Sequence, residues 1–173
     1  MKKLLFSALM LIAMSVLSMP LAAQVKISRQ YTPFDLDVQV KRCVVSGNQG
    51  YIDLVFNNHT GKFLSRVAVM HEEHISGYDK NNATIAYDDE GTVYKYECSG
   101  GIYQITFGGG GTCDWTQADL PEDVPVKMRI ELKGVSEFAT EFTMLNLTFR
   151  NISSWNYGIG SLTFRNIPIT RLE

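Results

Sequence analysis

The stretch VKMRIELKGV, residues 126–135, alternates apolar and charged side chains. In an extended chain Met128, Ile130 and Leu132 would point to one side, because successive side chains of a strand point to opposite faces. The charged side chains between them would point to the other side, namely Lys127, Arg129, Glu131 and Lys133. This stretch therefore predicts a β-strand with one face in a core and the other in solvent.

Similar short runs of β-branched and aromatic residues recur along the chain, separated by clusters of Gly, Asn, Asp and Ser. Helical periodicity is not convincing anywhere after the N-terminus, and the gaps leave no room for crossover helices. We therefore predict an antiparallel sandwich or barrel. The candidate strands are 36–45, 51–57, 63–75, 84–87, 92–97, 102–107, 126–135, 142–151 and 162–169, with the glycine run 108–111 predicted as a loop.

A six-residue repeat, LTFRNI, occurs at residues 147–152 and again at 162–167. If the two copies form a hairpin with a symmetric loop, Phe149 would lie opposite Phe164, with Leu147 and Leu162 on the same face. The repeat has two possible interpretations. Either two neighbouring strands need the same in–out pattern, or Arg150 and Arg165 form a small cationic stripe for an anionic partner.

The N-terminus, residues 1–23, has the three-part order of a secretory signal peptide. Lys2 and Lys3 precede the apolar run 4–17, and small residues end the segment, with cleavage predicted after Ala23. A membrane-spanning helix is disfavoured because a span needs about 20 apolar residues. No cysteine lies near the junction to carry a lipid. We expect an exported protein, periplasmic or extracellular, with residues 24–173 forming a single domain.

Charge disfavours nucleic acid as a partner. The whole chain has a formal net charge of −2, and removing Lys2 and Lys3 leaves 14 basic against 18 acidic residues, a charge of −4. The basic residues are scattered singly along the candidate strands, whereas nucleic-acid binding needs clustered Lys and Arg.

Three cysteines follow the predicted signal peptide, so at most one internal disulfide can form. Cys98 and Cys113 flank a glycine-rich stretch, and a bond between them would contribute about 3 kcal/mol on the loop-entropy model. Cys43 lies in an apolar strand, where a buried thiol is the commoner role. We favour the pair Cys98 and Cys113, although the sequence alone does not determine the pairing.

Reactive motifs are weak, so we predict no catalytic residues, no metal and no cofactor. His71 and His74 are spaced i and i+3, whereas the zinc-protease motif needs i and i+4 on a helix. The acidic segment 79–91 has oxygen ligands suited to calcium, but it lacks the EF-hand spacing and also suits solvated turns. A nucleophile elbow and a redox Cys pair are both missing from the sequence. His59 lies in a predicted turn and is the candidate for a dispersed triad.

Aromatic residues in predicted loops are the remaining candidates for binding. Trp115 follows the glycine run, and Trp155 and Tyr157 lie between the two copies of the repeat. They would either cover the ends of the sandwich or form a platform for a sugar or protein partner.

The segment AYDDEGTVY, residues 86–94, followed by LPEDVPV at 120–126 and the strand 127–135, resembles the telokin-like, immunoglobulin-like domains of uncharacterised exported bacterial proteins. This resemblance covers about half of the predicted mature chain and does not extend to the repeat. It implies an antiparallel immunoglobulin-like β-sandwich of about seven to nine strands with a binding or accessory role, and it brings no catalytic residues.

These observations predict a non-catalytic envelope protein that serves as a binding or accessory module for a protein or polymer partner. A carbohydrate-binding module that uses the loop aromatics is the alternative, and a hydrolase with a dispersed site is the third class.

Overall fold

The computed structural model describes residues 26–31, 36–70, 83–96, 101–108, 110–111, 115–151 and 159–173. For residues 26–31, 110–111, 150–151 and 159 it describes the backbone alone. The regular elements in these ranges are all β-strands, so the described part of the protein is all-β. Within it, no helical segment has the length and apolarity that a membrane crossing requires.

The strands form two sheets, in which the described strand-to-strand pairings are antiparallel except that of β13 with β2. The larger sheet has the order β1-β12-β11-β4-β9-β8, with β5 also paired to β11 and to β6. The second sheet has the order β13-β2-β3-β10-β7. In chain order the strands are β1 (Lys26–Tyr31), β2 (Leu36–Ser46), β3 (Gln49–Asn58), β4 (Leu64–Met70), β5 (Ile85–Asp88), β6 (Val93–Tyr94), β7 (Gly101–Phe107), β8 (Gly110–Gly111), β9 (Trp115–Leu120), β10 (Val126–Lys133), β11 (Glu141–Asn151), β12 (Ile159–Pro168) and β13 (Thr170–Leu172).

Among the described residues, the buried apolar side chains of both sheets form one cluster. Phe56 of β3 lies at a meeting point of this cluster, with its ring centroid 4.7 Å from that of Phe107 and 5.6 Å from that of Phe149. Phe107 belongs to the same sheet as Phe56, whereas Phe149 belongs to the larger sheet. Ring packing therefore joins the two sheets.

The alternation in residues 126–135 is confirmed. Met128, Ile130 and Leu132 of β10 are buried, and the charged residues between them face outward. Strand β10 pairs with β3 on one side and β7 on the other, so it is an interior strand of the second sheet.

The glycine run was predicted as a loop, and this is wrong at its end. Gly110 and Gly111 form the short strand β8, which pairs with Gln117 and Thr116 of β9. Trp115 was also predicted in a loop, but it is the first residue of β9, where it lies half-buried opposite Met70. Both differences follow from pairing in the larger sheet, where β9 pairs with β4 on one side and with β8 on the other.

The register predicted for the LTFRNI repeat is wrong. Leu147 and Leu162 do lie on one face, directly opposite each other, but Phe149 lies opposite Gly160 and Phe164 lies opposite Leu145. The prediction assumed a symmetric loop. In the observed register Phe149 is buried, and its ring centroid lies 5.6 Å from that of Phe56 in the other sheet.

Candidate functional site

The outward surface of the second sheet holds most of its charged side chains on three strands, β2, β3 and β10. The pairing of β2 with β3 shifts between Val40 and Arg42, so that Lys41 is an extra residue in a β-bulge. Lys41 and Arg42 are both exposed as a result, although they are neighbours in one strand. The bulge therefore adds a second basic side chain to this face.

An ion-paired row crosses the centre of the face. Arg42, Asp53 and Arg129 occupy directly opposite positions on β2, β3 and β10. Arg129 donates from Nε to Asp53 Oδ1 at 2.7 Å and from Nη2 to Oδ2 at 3.1 Å, while Arg42 Nε donates to Oδ2. These hydrogen bonds hold the pKa of the Asp53 carboxyl below its usual value of 3.8, and the hydrogen bond from Arg129 has the largest effect. One carboxylate is thus shared by two guanidinium groups.

A second charged cluster lies beside this row. Tyr103 donates from its hydroxyl to Glu131 Oε2 at 2.6 Å, and this bond raises the pKa of Tyr103 to about 12. The ammonium of Lys133 lies 4.1 Å from the centroid of the Tyr103 ring. The guanidinium of Arg129 lies 5.5 Å from the centroid of the Tyr51 ring. Both tyrosine rings therefore support cations of the face.

We call the side chains Lys41, Arg42, Lys127, Arg129 and Lys133 the basic face. A shallow depression of about 500 Å³ lies among the first four of these, and its lining is Lys41, Arg42, Asp53, Leu54, Val55, Thr106, Lys127, Met128, Arg129 and Glu131. The lining has four basic and two acidic residues, in a chain whose net charge is −2. The depression is therefore suited to a negatively charged group.

The residues predicted as binding sites are not brought together by the described structure. Trp115 and Arg165 both belong to the larger sheet, on β9 and β12, and Arg165 is exposed. In the backbone register Arg150 lies opposite Ile159, six positions along β12 from Arg165, a distance of about 20 Å at 3.3 Å per residue. Trp155, Tyr157, Cys98, Cys113, His71 and His74 lie outside the described residues.

His59, the candidate for a dispersed triad, pairs with Asp123 on the surface. Its Nδ1 lies 2.9 Å from Asp123 Oδ1, and the two side chains are 50% and 71% exposed. This pair joins the turn after β3 to the loop between β9 and β10, which is a structural role of small energy at such exposure. In the part of the chain that the structure describes, no three His, Cys, Asp or Glu side chains gather as metal ligands.

The carboxylates at the end of the acidic segment 79–91 accept hydrogen bonds within the protein. Asp88 is buried, and its carboxylate accepts the backbone N–H groups of Glu90 and Thr92 and the hydroxyl of Tyr94. Asp89 accepts both the N–H and the hydroxyl of Thr140. These two side chains shape the β5–β6 turn and attach it to the loop before β11.

The basic face could not be predicted from the sequence because its residues lie in two segments that are far apart along the chain. The local signal was present in the outward positions of 127–133 and in the adjacent Lys41 and Arg42. The missing information was that β3 lies between β2 and β10 and presents Asp53 to both.

The folded protein should lose stability in acid, and part of this loss should come from protonation of Asp53. A carboxyl whose pKa is lower in the folded state contributes stability above its unfolded pKa, and this contribution is lost as pH falls through the folded value. We expect the urea midpoint of the protein to decrease as pH falls below about 4, and Asp53→Asn to make this decrease shallower. Urea denaturation between pH 2 and pH 7 measures it. In the control variant Glu137→Gln, which changes an exposed carboxyl, the urea midpoint should decrease with pH as steeply as in the wild type. An equal change in both variants would contradict the role of Asp53.

Cys43 should resist modification in the native protein. Its side chain is buried, and desolvation raises the pKa of its thiol to about 12. We expect no iodoacetamide label at Cys43 at pH 8 under native conditions, and full labelling in denaturant.

Mass spectrometry also tests the predicted pair: denatured, unreduced protein should carry one label if Cys98 and Cys113 are bonded. Label on all three thiols would contradict the pair, and native labelling of Cys43 would contradict its burial.

Comparison with known proteins does not assign this chain to a family. No protein-family model matches it, and no curated protein matches it either.

Proposed function

We propose that this chain is an exported, non-catalytic envelope protein, a binding or accessory module that contacts a protein or polymer partner through the basic face. The observation that carries the proposal is the collection of five basic side chains from two strands on one side of an acidic protein. The depression on this face has four basic and two acidic side chains, and such an excess of positive charge attracts partners of negative charge. Export rests on the signal pattern of residues 1–23.

An immunoglobulin-like arrangement is part of this proposal. Two mainly antiparallel sheets enclose one core, which is consistent with such a sandwich. Strand β13 pairs in parallel with β2 and forms one edge of the second sheet. Sandwich folds host many unrelated functions, so the binding role rests on the basic face and not on the fold.

The chemistry of the basic face supports binding over catalysis. A general base works best with a pKa near the operating pH, whereas the Asp53 carboxyl is held below its ordinary value by two guanidinium groups. Glu131 accepts the hydroxyl of Tyr103, and this hydrogen bond raises the pKa of Tyr103 to about 12. Both acidic residues of the depression are thus engaged in fixed hydrogen bonds.

Affinity capture from native envelope extract tests this proposal. The wild-type chain should retain a partner that the double variant Lys41→Glu/Lys127→Glu releases. The matched control is Lys62→Glu/Lys95→Glu, which makes the same change in net charge at two exposed lysines outside the basic face. Equal retention by both variants would overturn the assignment of the binding surface.

A carbohydrate-binding module that uses Trp115, Trp155 and Tyr157 is the second candidate. Trp115 is half-buried at the start of β9, so part of its side chain stays accessible on the larger sheet. A neutral-glycan signal that is lost on Trp155→Ala, and kept in Lys41→Glu/Lys127→Glu, would favour this candidate.

A further inference from the structure

We propose that the basic face binds an acidic polysaccharide, whose carboxylate or sulfate groups enter the depression between Lys41 and Arg42 on one side and Lys127 and Arg129 on the other. This inference rests on the proposed function, since it names the ligand class of the same surface.

The size and lining of the depression suit a sugar ring. Its volume of about 500 Å³ is within the usual range of small-molecule sites, about 300–1,000 Å³. The Val55 side chain lies opposite Lys127, between the basic residues of β2 and β10, and Thr106 lies opposite Arg129. An aliphatic surface and a hydroxyl surrounded by cations match a ring with C–H groups, hydroxyls and one anionic substituent.

The ion-paired row retains hydrogen-bonding capacity for such a substituent. Each guanidinium has five N–H donors, and Asp53 accepts one from Arg42 and two from Arg129. The carboxylate thus holds both guanidinium groups in place while it uses only part of their donors. The side chains of Arg42 and Arg129 are 58% and 43% exposed, so both can be approached from solvent. Guanidinium groups held in this way are well suited to carboxylate and sulfate oxygens.

The lysines add charge at the two sides of the depression. Lys41 and Lys127 are exposed, and each is a compact cation on a flexible stem. They are separated across the sheet by β3, so a chain of acidic sugars could present successive anionic groups to both. A polymer with repeated charges fits this arrangement better than a single small anion.

The tyrosines of this face favour a glycan over single-stranded nucleic acid. Non-specific binding of single strands uses open aromatic faces on which bases stack. Here Lys133 lies over the Tyr103 ring and Arg129 lies near the Tyr51 ring, at 4.1 and 5.5 Å from the centroids. At each of these rings a cation of the basic face therefore competes with a stacking base.

Calorimetric titration of the full chain with polygalacturonate, with heparin and with neutral dextran tests the inference. We expect one or both acidic glycans to bind, dextran not to bind, and affinity to fall as salt is raised from 0.05 to 0.5 M, because salt screens exposed charges. Lys41→Glu/Lys127→Glu should raise Kd by about ten-fold or more, whereas Lys62→Glu/Lys95→Glu should change it by less than about two-fold. Circular dichroism confirms that both variants fold.

Three results would overturn the inference. These are failure of both acidic glycans to bind, equal weakening by the two lysine variants, and tighter binding of oligothymidylate than of either glycan. If the acidic glycans fail while the envelope partner is still released by Lys41→Glu/Lys127→Glu, the ligand class is wrong and the binding surface stands. If that partner is retained as well, the proposed function fails with it.

Discussion

Phe56→Ala should lower the free energy of unfolding by about 3–5 kcal/mol, the usual range for removal of a buried phenylalanine ring. Phe56 is fully buried, and its ring contacts Phe107 in its own sheet and Phe149 in the other. The truncation removes apolar burial and leaves a cavity where the two sheets meet. Since domains are stable by only about 5–15 kcal/mol, this is a large share of the total.

Urea denaturation followed by far-UV circular dichroism measures this loss as a lower midpoint with a similar slope. Phe138→Ala is the matched control, because it removes the same atoms from a side chain that is 69% exposed. The control should change stability by no more than about 0.5 kcal/mol. Similar losses in the two variants would contradict the role of Phe56 as the link between the sheets.

The all-β class could be predicted because alternation is a local property of the sequence. Strand β10 shows this directly, since its apolar positions are the buried ones. Strand β9, WTQADL, was missed because the residues it buries include the small or polar Thr116 and Ala118. The three-residue strand β13 has no apolar alternation at all and exists through its pairing with β2.

Register and the candidate site could not be predicted, because both depend on contacts between distant segments. The repeat alone suggested Phe149 opposite Phe164, whereas the packing of Phe149 against Phe56 accompanies a different register. The pairing of β3 with both β2 and β10 brings Arg42 and Arg129 to one carboxylate. Strand pairing thereby places basic residues that are distant in sequence on one face. Basic residues that are scattered along the sequence of a β-protein therefore do not exclude a basic surface.

Gly101→Ala should destabilise the protein by about 2–4 kcal/mol, as the sum of backbone strain and a steric clash. Gly101 begins β7 with a φ of 69°, in the left-handed region that L side chains rarely adopt. A Cβ atom at this position would lie 2.3 Å from the carbonyl oxygen of Lys95. That oxygen accepts the N–H of Ile102 at 2.8 Å, so relief of the clash would lengthen or break this hydrogen bond at the start of an edge strand.

Gly134→Ala separates the two contributions to this loss. Gly134 has a φ of 75°, close to that of Gly101, but a Cβ atom there would meet nothing within 4 Å. It should therefore cost only the backbone strain, about 1–2 kcal/mol. In urea denaturation the difference between the two variants measures the clash with Lys95 alone. Equal losses of stability in the two variants would mean that β7 can shift away from Lys95 without cost. The hydrogen bond from Ile102 to Lys95 would then contribute little to the stability of this edge of the second sheet.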